Sequence, residues 1–276
     1  MTWEAAVQYL KSQPEQQEIV RQCYYDDPLQ VSADRYHNSE EWLAVKLLLD
    51  RYLPGKVLDL GAGRGISSYA FAKAGCEVTA LEPDSSLVVG AGAIQSLVES
   101  SGVSIEIVQE YGETLPFIND TFDIVYGRAV MHHAQSLGQF CFEAHRVLKS
   151  GGVFIGTREH VISRREDLPE FLDGHLLHHL YGGENAYLLA EYLGAIEKSG
   201  LKIVKVIAPY DSVINYAPKT EREFQADIAT KLGRVVGDSL AQKLAKSEQI
   251  QQLGGWYASR SAHTPGRLYT FMAVKK

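Results

Sequence analysis

The chain has no long apolar run. In 276 residues nothing approaches the roughly 18 consecutive apolar positions of a membrane-spanning helix, so no membrane span is expected. Cysteine is scarce as well: Cys23, Cys76 and Cys141 are scattered without metal-ligand spacing. An odd number leaves no complete disulfide framework, and the three are read as packing residues in a reducing compartment. The opening Met1-Thr2-Trp3-Glu4 lacks the basic start, apolar middle and small-residue cleavage site of a secretory signal, which makes a cytoplasmic location the expectation. Basic charge is in deficit: 27 Lys and Arg against 34 Asp and Glu give a net −7. That argues against a broad phosphate-binding surface, so a small-molecule substrate is favoured over nucleic acid, with only the local group Arg158, Arg164 and Arg165 pointing the other way. Internal repeats and low-complexity segments are absent too.

What is present reads as an ordinary α/β protein, 45% apolar and 22% charged. Residues 4 to 53 read mainly as helix, a cap over 1–54, with Ser39-Glu40-Glu41 as a helix start and Pro54-Gly55 as a stop. Strands are expected at 56–60, 77–81, 103–108, 122–126, 153–157, 201–207 and 268–274. Helices are expected at 66–74, 85–100, 137–148 and 187–199. Strands alternating with helices call for a doubly wound, mostly parallel seven-stranded sheet with both faces covered. The α/β core is placed at 55–210 with a His-rich insertion at 160–186. A second, helical insertion at 211–264 has Gly254-Gly255 ending its apolar pattern, and 265–276 supplies a reversed final strand. Sites in such sheets lie at the carboxyl ends of the strands, where caps would shape a substrate pocket.

The chemistry is carried by Val57-Leu58-Asp59-Leu60-Gly61-Ala62-Gly63-Arg64-Gly65, with Glu82 closing the next apolar run. A strand, a glycine turn and a helix, followed by an acid at the end of the second strand, suggest a bound ribose. A dinucleotide requires G-x-G-x-x-G, with the pyrophosphate on the helix N-terminus. Here Ile66 takes the third glycine's place, and Asp59 would set an anion near that pyrophosphate. An acid there suits a cationic ligand such as S-adenosylmethionine, which carries a sulfonium and an ammonium and no phosphate.

At these residues the chain resembles the class I S-adenosylmethionine-dependent methyltransferases of the small-molecule type, from about Lys56 through Ile207 and including the final strand. The family's first motif, D-x-G-x-G-x-G, is matched by Asp59, Gly61, Gly63 and Gly65. The resemblance implies a Rossmann-like methyltransferase fold with S-adenosylmethionine as cofactor. It implies that Gly61, Ala62 and Gly63 pack on the amino-acid part of that cofactor, and that Glu82, followed by Pro83, accepts both ribose hydroxyls. Gly112-Glu113-Thr114-Leu115-Pro116-Phe117 and Phe122-Asp123-Ile124-Val125-Tyr126 read like the quinone-biosynthesis members. The acid that usually precedes the adenine-contacting residue is replaced by Tyr111, after Glu110, leaving adenine to the Gly112 N–H and to packing of Tyr111, with Glu113 also placed at the cofactor. Leu148-Lys149-Ser150-Gly151-Gly152 is similar to the family's Leu-Lys-Pro-Gly-Gly turn.

Methyl transfer is an in-line displacement for which an enzyme supplies proximity, alignment and sometimes a base. Gly127-Arg128-Ala129-Val130-Met131-His132-His133 follows the fourth strand at the binding edge. His132 or His133 is a candidate base toward a hydroxyl, and His160 is a third. Gly127 and Arg128 are placed at the cofactor, Arg128 facing a cofactor carboxylate or a substrate anion or, with equal weight, held in a surface salt bridge. Arg158, Glu159, His160 and Tyr181 are assigned to the acceptor pocket. His175 and His179 would share a helical face, but no carboxylate or cysteine at a convincing spacing completes a metal site, and none is expected. Tyr24-Tyr25-Asp26-Asp27 and Arg35-Tyr36-His37 in the N-terminal cap could close over the cofactor, although Tyr at such spacing is more often helix packing. The absence of an Asn-Pro-Pro-Tyr type motif after the fourth strand argues against methylation of nucleobases or glutamine. Two other readings stay open: an NAD-dependent oxidoreductase on the same architecture, and a cofactor-binding regulatory protein without turnover.

Overall fold

A computed structural model describes residues 1–276. Its framework is one sheet built from β1 (Lys56–Leu60), β2 (Glu77–Leu81), β3 (Glu106–Val108), β4 (Phe122–Arg128), β5 (Leu148–Ile162), β6 (Tyr187–Leu188), β7 (Lys202–Ile207) and β8 (Arg267–Val274). The spatial order is β3-β2-β1-β4-β5-β8-β7, with β6 paired to the far end of β5. The pairs among β1 to β6 are parallel, while β8 runs antiparallel between β5 and β7.

Side chains along a strand alternate between faces, so a sheet covered on both sides needs apolar residues at successive positions. That is what the central strands supply. Val57, Ile124, Tyr126, Val153 and Ile155 enter one core with Trp42 and Phe71. Leu58, Leu60, Val125 and Phe154 enter the other with Phe140, Tyr192 and Phe271. Helix Glu40–Leu48 belongs to the first layer, and its start is as read from sequence, since Ser39 accepts from the Trp42 N–H. Helices Leu137–Val147 and Leu189–Lys198 cover the opposite face.

Several boundaries differ from the sequence expectation, each for a local reason. The N-terminal region is four short helices, Trp3–Ser12, Gln17–Gln22, Leu29–His37 and Glu40–Leu48. The helix expected from residue 85 starts at Ala91, because Asp84 holds a turn first: its carboxylate accepts from Ser86 N–H and its carbonyl from Ala91 N–H. β5 does not stop at residue 157. It continues to Ile162 by pairing Glu159, His160 and Val161 with Tyr269, Leu268 and Arg267, so the excursion placed at 160 begins after Ile162. Gly254-Gly255 does not end a helix but lies inside Glu248–Ser261. A Cβ on Gly255 would stand 2.4 Å from the Tyr210 carbonyl oxygen, so these glycines serve close packing. No helix is long and apolar enough to cross a membrane.

Candidate functional site

The carboxyl ends of β1, β2, β4 and β5 open into a cavity of about 690 Å³. Its floor is the turn after β1. Gly61 adopts φ +61 and a Cβ there would come within 2.3 Å of Val130, so the turn presses against the loop after β4. The Gly63 N–H donates to Glu82 Oε2 at 2.7 Å, and the Asp84 N–H donates to Oε1 at 3.0 Å. These two contacts fix the Glu82 carboxylate at the cavity wall. Asp59, beneath the turn, accepts from Ser68 Oγ at 2.6 Å. Burial pushes both acids up to about 7, against the lowering effect of those hydrogen bonds.

Most of the residues expected at the cofactor lie on this wall: Asp59, Gly61, Ala62, Gly63, Glu82, Pro83, Tyr111, Gly112, Glu113 and Arg128. Tyr111 is exposed, Gly112 sits tight against Phe140, and Glu113 accepts from the Gln135 and Ser136 N–H groups, pinning the segment that follows His133. Gly127 is a correction. It lies inside β4, paired with Leu60, and packs under Val130 without forming part of the wall.

Arg128 reaches the cavity already engaged, donating to Glu41 from Nε at 2.7 Å and from Nη2 at 3.1 Å. Arg158 stands 3.9 Å from the same carboxylate and donates to the Ile214 carbonyl. It is aimed inward by the irregularity between Gly156 and Glu159 in the β5–β8 pairing, where Arg158 takes φ +60. Two guanidiniums therefore share one carboxylate, which leaves a positive charge facing the cavity. Burial opposes the charge on Glu41, but the two arginines outweigh it and hold its pKa below the ordinary value.

The N-terminal segment roofs the cavity with Trp3, Gln22 and the turn residues Cys23, Tyr24 and Tyr25. Their tie to the glycine turn is Arg64, which the sequence reading passed over. It is buried, donates from Nη1 to the Tyr24 and Asp26 carbonyls, and pairs with Asp27 at 2.6 Å. Its position inside the turn was a usable signal, since a long cation there needs a partner from elsewhere.

The far wall is histidine-rich. His132, His133, His160, His175, Tyr181 and Glu184 all line it, alongside Arg158. Glu159 does not: it is fully buried, and its carboxylate accepts from the backbone N–H groups of Val130, Met131 and His132 and bonds His132 Nδ1 at 2.9 Å. The residue assigned to the pocket is thus a positioning group for the loop after β4. His132 is poorly placed to act as a base. Burial disfavours its charge, yet Glu159 and Glu184 outweigh it and push His132 up to about 9, so it carries its proton at neutral pH. His133 differs. Its Nδ1 bonds the Gly183 carbonyl at 3.0 Å, and burial and the charge on His132 lower its pKa. The same two influences drive His160 down to about 3. Tyr181 donates to Glu184 Oε1 at 2.8 Å. His179 turns away to the Asp173 carbonyl. What spacing could not reveal is Glu184, brought by the fold to His132 and His160, which lie 52 and 24 residues before it.

Comparison with known proteins follows the same residues. A family model described as a methyltransferase domain matches residues 58–156. The chain is 32% identical over 119 residues to the uncharacterized methyltransferase YcgJ of Bacillus subtilis, covering 43% of this chain and 46% of that one. It is 30% identical over 156 residues to a ubiquinone biosynthesis O-methyltransferase of Methylobacterium nodulans, covering 54% and 60%. The chain thus spans about half the length of these curated relatives. The solved structure of the Bacillus YcgJ protein superimposes with a TM-score of 0.54 at 21% identity, covering 85% of this chain and 99% of that one, a likeness of fold.

Proposed function

We propose, for a chain that belongs to the class I S-adenosylmethionine-dependent methyltransferases, that it transfers a methyl group to the hydroxyl of a small molecule that also carries an anionic group. The observation that carries the reading is the Gly63–Glu82 contact at 2.7 Å, which presents a fixed carboxylate beside a glycine turn at the sheet's binding edge. A rigid carboxylate with free lone pairs suits two adjacent ribose hydroxyls. Asp59 below the turn suits a cation and opposes a pyrophosphate. The reversed β8 between β5 and β7 also departs from the 3-2-1-4-5-6 order of dinucleotide-binding sheets, which disfavours the NAD reading. Because the cavity runs on from the turn to the histidine wall, there is room for an acceptor, which disfavours a protein without turnover.

S-adenosylmethionine, held along Gly61, Ala62, Gly63 and Glu82, supplies a methyl group on a sulfonium leaving group. The protein's own part is alignment and proton removal. His133 donates Nδ1–H to the Gly183 carbonyl, which leaves the Nε2 lone pair to take the proton of an acceptor hydroxyl. The charge left over from Arg128, Arg158 and Glu41 orients the acceptor through its anionic group. Hydroxyl methylation also accords with the O-methyltransferase named among the relatives.

Calorimetric titration with S-adenosylhomocysteine and, separately, with NADH tests the reading. Binding of the first and not the second is expected, and binding of NADH alone would overturn it.

A further inference from the structure

Glu184 stands at the meeting point of a ring of imidazoles. Its Oε2 lies 3.6 Å from Nε2 of His132 and 3.9 Å from Nε2 of both His133 and His175. Ligand atoms of His132, His160 and Glu184 all fall within 4.8 Å of one another. None of the three Nε2 distances is a hydrogen bond. The nitrogens face one carboxylate oxygen without bonding it.

The outward-facing ring nitrogens are held in a regular way. His132 Nδ1 meets Glu159 Oε2 at 2.9 Å, His133 Nδ1 meets the Gly183 carbonyl at 3.0 Å, and His160 Nδ1 meets the Gly266 carbonyl at 2.9 Å. A carbonyl only accepts, so His133 and His160 carry their hydrogens on Nδ1 and turn lone pairs inward on Nε2. Carboxylate or carbonyl contacts of this kind orient histidines that ligate metals. Glu184 is itself oriented, by Tyr181 through its other oxygen.

We propose that His132, His160 and Glu184 bind one divalent transition-metal ion on the cavity wall beside His175, the ion displacing the Nε2 proton of His132. Metal bonds of about 2.0–2.2 Å to histidine and carboxylate place donor atoms roughly 3–3.5 Å apart, so small side-chain rotations bring this set onto an ion. Two imidazoles and a carboxylate without thiolate select zinc, iron(II), cobalt or manganese over calcium and magnesium, which favour all-oxygen sites. Three protein ligands leave positions for an oxygen from the cavity, so the ion would hold the acceptor hydroxyl oxygen and lower its pKa, its proton passing to His133 Nε2. That role rests on the methyl-transfer reading, whereas binding of the ion does not.

The test is metal content. Protein stripped with a chelator and reloaded with zinc or cobalt(II) should hold one equivalent by elemental analysis, and the cobalt form should show visible d–d absorption. Glu184→Gln and His160→Gln should each weaken the ion by about a hundredfold or more, beyond the usual cost of losing an outer contact. His179→Ala, whose imidazole points to Asp173, should leave loading unchanged. S-adenosylhomocysteine calorimetry on the same variants reports whether they are folded. Failure of the stripped protein to take up zinc, cobalt, iron(II) or manganese overturns the proposal, as does equal loading in both ligand variants. Loss of S-adenosylhomocysteine binding with metal uptake intact would sink the methyl-transfer reading and leave the metal site standing.

Discussion

The Gly63 N–H donates to the Glu82 carboxylate at 2.7 Å, so the turn after β1 and the end of β2 act as one unit. Glu82→Ala removes both the proposed acceptor of the ribose hydroxyls and the partner that shapes the turn. The expected result is a loss of S-adenosylhomocysteine affinity of about 2–4 kcal/mol, as for a charge-assisted pair of hydrogen bonds. Gly63→Asp should be at least as damaging, since φ +55 disfavours any side chain and the new anion meets Glu82. Calorimetry measures both, and unchanged affinity in the two variants rejects this cofactor site.

Affinity should also depend on pH. Burial holds Asp59 and Glu82 near 7 in the ligand-free protein, and the sulfonium cofactor is best received by the ionised forms. Binding of S-adenosylmethionine should therefore strengthen as pH rises from about 6 to 8, by roughly tenfold for each proton released per pH unit below the shifted pKa. A flat profile across that window, or one that weakens, contradicts the assignment.

Stability of the ligand-free protein should run the opposite way. Below the ordinary value of 3.8, Asp59 holds its proton folded or unfolded, so its burial carries no extra cost. Between there and about 7 the unfolded chain ionises while the folded one resists, and stability falls until both states are charged. Asp59→Asn keeps an acceptor for Ser68 and cannot ionise. Its melting temperature should exceed that of the parent at pH 8 by an amount corresponding to about 1–3 kcal/mol, with the gap closing toward pH 4. Equal melting curves at pH 8 would show that Asp59 is not held under this strain.

Arg64 predicts how the roof is attached. It binds the Tyr24 and Asp26 carbonyls and Asp27 from within the glycine turn, and Asp27 also pairs with Lys11. Arg64→Met keeps much of the side-chain volume and loses every hydrogen bond. Protease cleavage within residues 1–38 should speed up about tenfold while the sheet stays resistant, and cofactor affinity should fall with it. Cleavage at the parent rate would mean that packing alone holds the roof.

How far the site was legible follows from these residues. The glycine turn, Asp59 and Glu82 sit within 24 positions, Asp59 through Glu82, and local spacing displays them. The alternating cores were readable for the same reason: apolar runs bounded by turns belong to single elements. Glu159 was misassigned because its role depends on burial beneath a loop 27 to 29 residues earlier, which no periodicity reports. Glu41 was read only as an acid in a first helical turn, and its pairing with Arg128 spans 87 residues. The histidine wall joins β4, β5 and the excursion after Ile162, so its convergence is a product of the tertiary fold.

His133 carries the last prediction. Its Nδ1 is committed to the Gly183 carbonyl and its Nε2 faces the cavity, while the lowered pKa keeps it neutral near pH 7. His133→Ala should reduce kcat by about 10²–10⁴ and leave S-adenosylhomocysteine affinity unchanged, the signature of a lost base. The acid limb of the parent's pH–rate profile should disappear with it, and raising the pH should restore much of the rate by ionising the acceptor hydroxyl directly. His132→Ala should behave differently, because that imidazole is buried against Glu159 and its loss strands a carboxylate: lower melting temperature, weaker binding and lower rate together. If instead His133→Ala turns over at the parent rate, the acceptor loses its proton to another group or carries none, and the hydroxyl reading gives way to an acceptor already nucleophilic at neutral pH.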